Sequence, residues 1–265
     1  MSAAEKAKPA DSASTIVAMS ALIFAASMTL HEFFHAMTLM YFGADNIVVY
    51  SATTDFGRAN AQRTIWWSLF VYLSGPAANL LLAVISIAIL NIRKFSRNDA
   101  HFFVLMTFCI NSTLFAGYMF FSSLAGGGDW GDVVRALPNS DETGTYVSIA
   151  AVVLLAALAC LQRYEFSKFT SRGGLFIAKV ALLATVGNGL LGLLAAGDNG
   201  FPFYVVGVGF GAAWPLFVSA ALSNVAVLKS SNSEARFVPF SLPWVIAGLL
   251  VSLIYVFVVG RGVSL

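Results

Sequence analysis

The sequence predicts an all-α fold, a polytopic bundle of about seven transmembrane helices, and three observations carry that prediction. Of the 265 residues, 58% are hydrophobic and only 11% charged, with a mean hydropathy of +0.81, whereas a soluble domain usually carries roughly 25% charged residues. Seven apolar runs, 16–42, 65–91, 101–124, 145–162, 174–196, 203–228 and 244–260, come near or exceed the roughly 20 residues that a spanning helix needs. None of them alternates with the period of a strand, and many exceed the length of a barrel strand, so the runs read as helices. This composition excludes a water-soluble enzyme, a disordered tail and a nucleic-acid binder, and it makes the lipid bilayer the expected surroundings. The net charge of +2 is too small to imply an acidic partner. Cys109 and Cys160 sit in apolar runs and read as small hydrophobes.

The elements follow in order. A polar tail, 1–15, precedes the first run, which continues to Phe42 and is too long for the core of a cleaved signal peptide. Trp66 and Trp67 open the second run and Trp244 the last, while Tyr41, Tyr146 and Tyr164 lie near run ends, as interfacial aromatics do. Polar breaks separate the runs at Gly43 to Arg63, Asn91 to Asp99, Gly126 to Gly144, Gln162 to Arg172 and Lys229 to Phe240. Loop cations predict orientation. Lys6, Lys8, Arg93, Lys94, Arg97, Arg163, Lys168, Arg172, Lys229 and Arg236 fall on one side, against Arg58, Arg63, Arg135 and Arg261 on the other. That imbalance predicts a cytoplasmic N-terminus in the cell membrane and a C-terminus outside.

Two of the three histidines fall in His31-Glu32-Phe33-Phe34-His35, inside the first run. On a helix, positions i and i+4 share a face, so both imidazoles can reach one metal ion. Glu32 lies beside that face, placed to polarise a water and carry its proton. With three His and five Glu in the chain, the pattern arises by chance in roughly one chain in a thousand. Glu32 is also the only carboxylate within the seven runs as bounded above, where an ionisable group costs about 3 kcal/mol or more without a partner or a wet cavity. A polar helix-packing patch, or a haem or quinone site, is the competing use of the same residues.

A catalytic zinc takes three protein ligands and keeps one position open. His101 begins the third run at the opposite membrane side and is a poor third ligand. The first and third runs are parallel, so the end of the third lies on the His35 side, where the chain reads Gly126-Gly127-Gly128-Asp129-Trp130-Gly131-Asp132. Glycines permit a sharp return of the backbone, and either Asp129 or Asp132 can complete the site. The second run contributes Gly75-Pro76-Ala77-Ala78-Asn79 at comparable depth. There proline frees a carbonyl, small residues admit a close helix, and Asn79 can bond a substrate backbone or the metal's surroundings.

These residues together resemble the site-2 protease family of intramembrane zinc metalloproteases. The likeness rests on HEFFH, on Gly-Pro-x-x-Asn at Gly75, Pro76 and Asn79, and on an aspartate with glycines after the third run. The stretch Tyr41 to Tyr50 is similar to the short β-prone loop that follows HExxH there. The resemblance covers 16–137, a three-span catalytic core; the four-span region 138–265 matches nothing nameable. It implies a zinc ion held by His31, His35 and Asp129, with Glu32 as general base and Asn79 near the substrate backbone or oxyanion. It further implies a membrane-embedded protein substrate, cleaved at a peptide bond. The third motif departs from the family pattern: no proline precedes Asp129, Gly128 stands for leucine and Trp130 for glycine, so Asp132 stays an alternative ligand. Family members place the zinc nearer the cytosol, whereas the cation count puts the His35 end outside. The contrasting expectation is a non-catalytic scaffold or accessory subunit of a larger membrane complex that keeps the fold. A proton or solute path through Glu32 and His35 finds no paired broken helices to support it.

Overall fold

A computed structural model describes residues 11–57, 64–196, 214–222 and 236–265. Helix α1, Ala13–Tyr41, begins at Ser12, whose side chain accepts from the Thr15 amide as a serine cap does. Its 29 residues span about 43 Å at ~1.5 Å per residue, more than the ~30 Å hydrocarbon layer. A hairpin of β1, Val48–Val49, and β2, Thr54–Asp55, follows. Then come α2, Ile65–Ile92, capped by Thr64; α3, Asn98–Ala125; the short α4, Gly128–Ala136; α5, Ser140–Phe169; and α6, Gly173–Ala196. The last described elements are α7, Trp214–Ala221, then α8, Leu242–Phe257, a 3-10 turn at Val259–Arg261 and β3, Val263–Ser264. The three strands form one small antiparallel sheet in the order β2-β1-β3.

Helix α1 is the hub. It packs on α2, α3, α6 and α8, and Ile16, Met19, Ile23 and Phe24 are buried against Phe102, Leu105, Met106, Val180 and Tyr255. A second apolar cluster of Ala36, Leu39, Ile47, Val49, Trp67 and Val71 seats the hairpin on α1 and α2. Outward faces are apolar instead: Leu81 and Ile85 on α2, Val153 on α5, Leu194 on α6, and Leu249 and Leu253 on α8 are all exposed. Among the described residues six helices are long and apolar enough to cross a membrane, and with those outward faces the chain is an all-α, multi-pass membrane bundle. The seventh predicted run, 203–228, lies mostly outside the described residues; α7 falls within it.

Two expectations about the runs are corrected. Helix α5 does not stop at 162 but continues to Phe169, because its polar residues find partners within the protein. Buried Gln162 reaches Ser112 and Thr113 on α3 at 3.2 Å each, and Lys168 bonds Glu165 one turn back at 2.7 Å. Arg163 and Lys168 therefore belong to a helix end, not a loop, and Glu165 joins Glu32 as a buried carboxylate within a spanning helix. Asp99 is a third, buried in the first turn of α3 and bonded by Arg97 and the Trp244 indole. The predicted polar break from Gly126 to Gly144 is itself largely helical, since it contains α4 and the start of α5.

The end of the bundle that carries the start of α1 is tied by charge. Asp11 accepts two bonds from Arg172, at 2.5 and 2.8 Å, and one from the Val238 amide at 3.0 Å. Burial opposes ionisation of Asp11, but the Arg172 guanidinium outweighs it and holds the carboxyl below its ordinary range. The hairpin, α4, the end of α6 and β3 gather at the other end.

Candidate metal centre

Helix geometry places His31, Glu32 and His35 together on the buried flank of α1. Each imidazole is oriented by a neighbour from α2. Nδ1 of His35 donates to the Val71 carbonyl at 2.7 Å, which turns Nε2 toward His31 and Asp129. The Asn79 carboxamide lies 3.0 Å from Nδ1 of His31, and its Oδ1 is buried with no partner. A 180° turn of that carboxamide exchanges its two ends and lets Oδ1 accept from Nδ1–H of His31. That is the tautomer a histidine needs when Nε2 binds a metal, so the orphaned oxygen fits a metal-ligating His31.

The third group arrives by a corner between α3 and α4. Gly126 adopts a left-handed conformation at φ 65° and ends α3. Ser122 then bridges the corner, donating to the Gly127 carbonyl at 2.5 Å and accepting from the Gly131 amide at 2.8 Å. A side chain at Gly131 would lie 2.8 Å from the Gly126 backbone, so only glycine lets the two helices approach this closely. The corner turns α4 back onto α2, with Asp129 in its first turn, where the helix dipole favours a carboxylate. Asp129 Oδ2 stands 2.9 Å from His31 Nε2 and 3.2 Å from His35 Nε2, and the two Nε2 atoms are 3.2 Å apart. Tetrahedral zinc with ligand bonds of ~2.0–2.1 Å sets its ligand atoms about 3.3 Å apart. The triangle nearly matches one face of that tetrahedron, and His31, His35 and Asp129 can hold a metal ion.

Asp132, the alternative ligand, turns to Arg135 on its own helix and does not meet the histidines. Burial pushes its carboxyl above the ordinary range, although Arg135 draws it down. In Asp129 burial acts in the same direction, but the two imidazoles prevail and hold the carboxyl well below that range. His101 lies at the other end of the bundle, stacked on Phe95 and bonded to Arg236, and takes no part.

Gly75 has a sharper role than admitting a neighbouring helix. A Cβ at this position would lie 2.3 Å from His35 Nε2 and 2.5 Å from His31 Nε2. Those are close to metal–nitrogen bond lengths, so a side chain there would compete with an ion for one volume. Glu32 is 3% exposed, and its Oε2 accepts from the Thr54 hydroxyl at 2.9 Å. The same hydroxyl lies 3.0 Å from the Glu32 carbonyl. Glu32, His35, Asp129 and Asp132 line a cavity of about 660 Å³ together with Tyr118 and the hairpin residues Tyr50 to Phe56. Asn79 borders an adjoining pocket of about 20 Å³ with His31, Glu32, Ala52 and Tyr118, and its contact there is with Nδ1 of His31.

Thr54, the Val71 carbonyl and Tyr118 were not anticipated. Thr54 sits in a short β-prone stretch with nothing local to mark it, and a backbone carbonyl leaves no trace in residue identity.

The fold and site define a class: a multi-pass helical membrane protein with a His-His-Asp group able to hold a metal ion beside a buried carboxylate. No family model, curated protein or solved structure matches the chain.

Proposed function

We propose that this protein is an intramembrane zinc metalloprotease of the site-2 protease type, which hydrolyses a peptide bond of a membrane-embedded protein. The observation that carries the proposal is the triangle of His31, His35 and Asp129 with Glu32 beside it, open to a cavity lined by Thr54 and Tyr118. Two nitrogens and one carboxylate oxygen are a donor set that suits zinc and leaves a position for substrate. Zinc held there would supply Lewis-acid polarisation of a carbonyl and make a water acidic near neutral pH.

The chain's own residues do the rest. Glu32 Oε2, held by Thr54, takes the proton of the attacking water and returns it to the leaving amine. Val71 and Asn79 keep the imidazoles in the ligating tautomer. The scissile segment must be unwound, because helical peptide groups are already hydrogen-bonded, and the cavity beneath the hairpin has room for an extended backbone.

The test is Glu32→Gln, purified in detergent or liposomes and given helical membrane substrates. Zinc content is expected to stay at about one per chain, while cleavage falls by at least ~100-fold, the low end for general-base loss. Undiminished cleavage by the zinc-loaded variant would sink the mechanism.

We further propose that the start of α1 faces the cytoplasm of the cell membrane. The correction to α5 leaves the charge argument standing, since Lys168 bonds Asn91 at the same end of the bundle as Asp11 and Arg172. A single exposed cysteine introduced at Leu265 in a background lacking Cys109 and Cys160 should react with an impermeant maleimide on intact cells. Labelling only after lysis would reverse the orientation.

A further inference from the structure

The hairpin that holds Glu32 is itself held by the C-terminal part of the chain. Tyr255 of α8 is 1% exposed, and its hydroxyl donates to the backbone carbonyl of Ser51 at 2.7 Å. The Ser51 hydroxyl donates at 3.1 Å to the carbonyl of Ala195, at the end of α6. Strand β3 pairs with β1, placing Val48 opposite Ser264 and Val49 opposite Val263, and the Leu265 amide bonds the Ile47 carbonyl at 2.9 Å. The turn between these anchors is closed by the Tyr50 amide on the Thr53 carbonyl at 2.8 Å. Three residues after Ser51 stands Thr54, whose hydroxyl meets Glu32.

We propose that Tyr255 is a positioning residue for the Glu32 carboxylate, acting through Ser51 and Thr54, so that α8 and β3 belong to the active unit. The inference rests on the proteolytic reading above for its kinetic consequence, but not for the brace itself. A bond from a fully buried hydroxyl to a buried carbonyl is costly to leave unmade. Without Tyr255 the turn holding Thr54 loosens, and Glu32 is no longer kept in one place. A base displaced by as little as an ångström loses rate without losing substrate affinity.

Tyr255→Phe removes the hydroxyl and keeps the ring that packs edge-on against Phe24. Hydrogen exchange in peptides spanning 48–55 should quicken by about tenfold, with zinc content unchanged. On a cleavable substrate, kcat should fall by about tenfold with KM within twofold. Combined with Thr54→Val, the double variant should be no slower than the slower single one, because both act through one link. Ser51→Ala cuts the tie to Ala195 from the other side, should raise exchange in the same peptides, and serves should Tyr255→Phe fail to fold. Unchanged exchange at 48–55 overturns the proposal, as do kinetic effects of the two substitutions that simply multiply. If the wild-type chain cleaves nothing, the proteolytic reading falls, while the exchange measurement still decides whether Tyr255 braces the hairpin.

Discussion

Asp129→Ala is expected to weaken zinc binding by at least ~1000-fold, about 4 kcal/mol, measured by competition with a chelating dye on detergent-solubilised protein. The reason is geometric. Asp129 Oδ2 closes the triangle with the two imidazole nitrogens at 2.9 and 3.2 Å, and two histidines alone leave zinc short of its usual three protein ligands. Asp132→Ala is the matched control. Its carboxylate pairs with Arg135 instead, so zinc affinity should stay within about fivefold, the loss of a charge nearby being a weaker effect than the loss of a ligand. The two readings of Asp129, ligand or plain ion-pair partner, part company in the metal-free protein. A ligand loss shows as a large drop in the stabilisation that zinc confers, since stabilisation follows ligand affinity. An ion-pair loss shows as a lower unfolding midpoint with or without zinc. Equal zinc affinity in Asp129→Ala and the wild type would remove the metal centre as drawn.

Gly75→Ala is expected to act nearly as strongly although glycine carries no chemistry. The added methyl would meet both ligand nitrogens, at 2.3 and 2.5 Å, and neither ring can retreat freely. His35 is fixed by the Val71 carbonyl and His31 by Asn79. Overpacking of a tight site costs about 1–3 kcal/mol, here charged against the ligated geometry, so zinc affinity should fall by about 100-fold. Gly173→Ala, at the open start of α6 where a Cβ meets nothing within 4 Å, should leave it unchanged. Wild-type zinc affinity in Gly75→Ala would mean that α2 yields at Pro76 more readily than its packing suggests.

How far the sequence could be read depends on which residues are taken. The spacing of His31 and His35 is a local property, so a 3.6-residue period was enough to put both on one face. The apolar runs were equally legible, but their ends were not. Composition alone closed the fourth run at 162, whereas the helix carries Gln162 and Glu165 into the interior because α3 and Lys168 satisfy them. Polarity marks a helix end only where the polar groups have no partner inside the protein. Gly75 was visible as a small residue in a packing seam; that the seam faces Nε2 of both histidines was not.

By itself the sequence determined the class of the protein, its helical spans, and the pairing of two imidazoles with a carboxylate in the first of them. Those features follow from composition and from the period of one helix, which need no knowledge of neighbours. Only the tertiary structure brought Asp129, and not Asp132, to the two imidazoles, Asn79 to His31, Thr54 to Glu32 and Tyr255 to Ser51. These contacts join positions as much as 98 and 204 residues apart. No local spacing encodes them, because they depend on how the α3–α4 corner turns and on where β3 returns to the sheet.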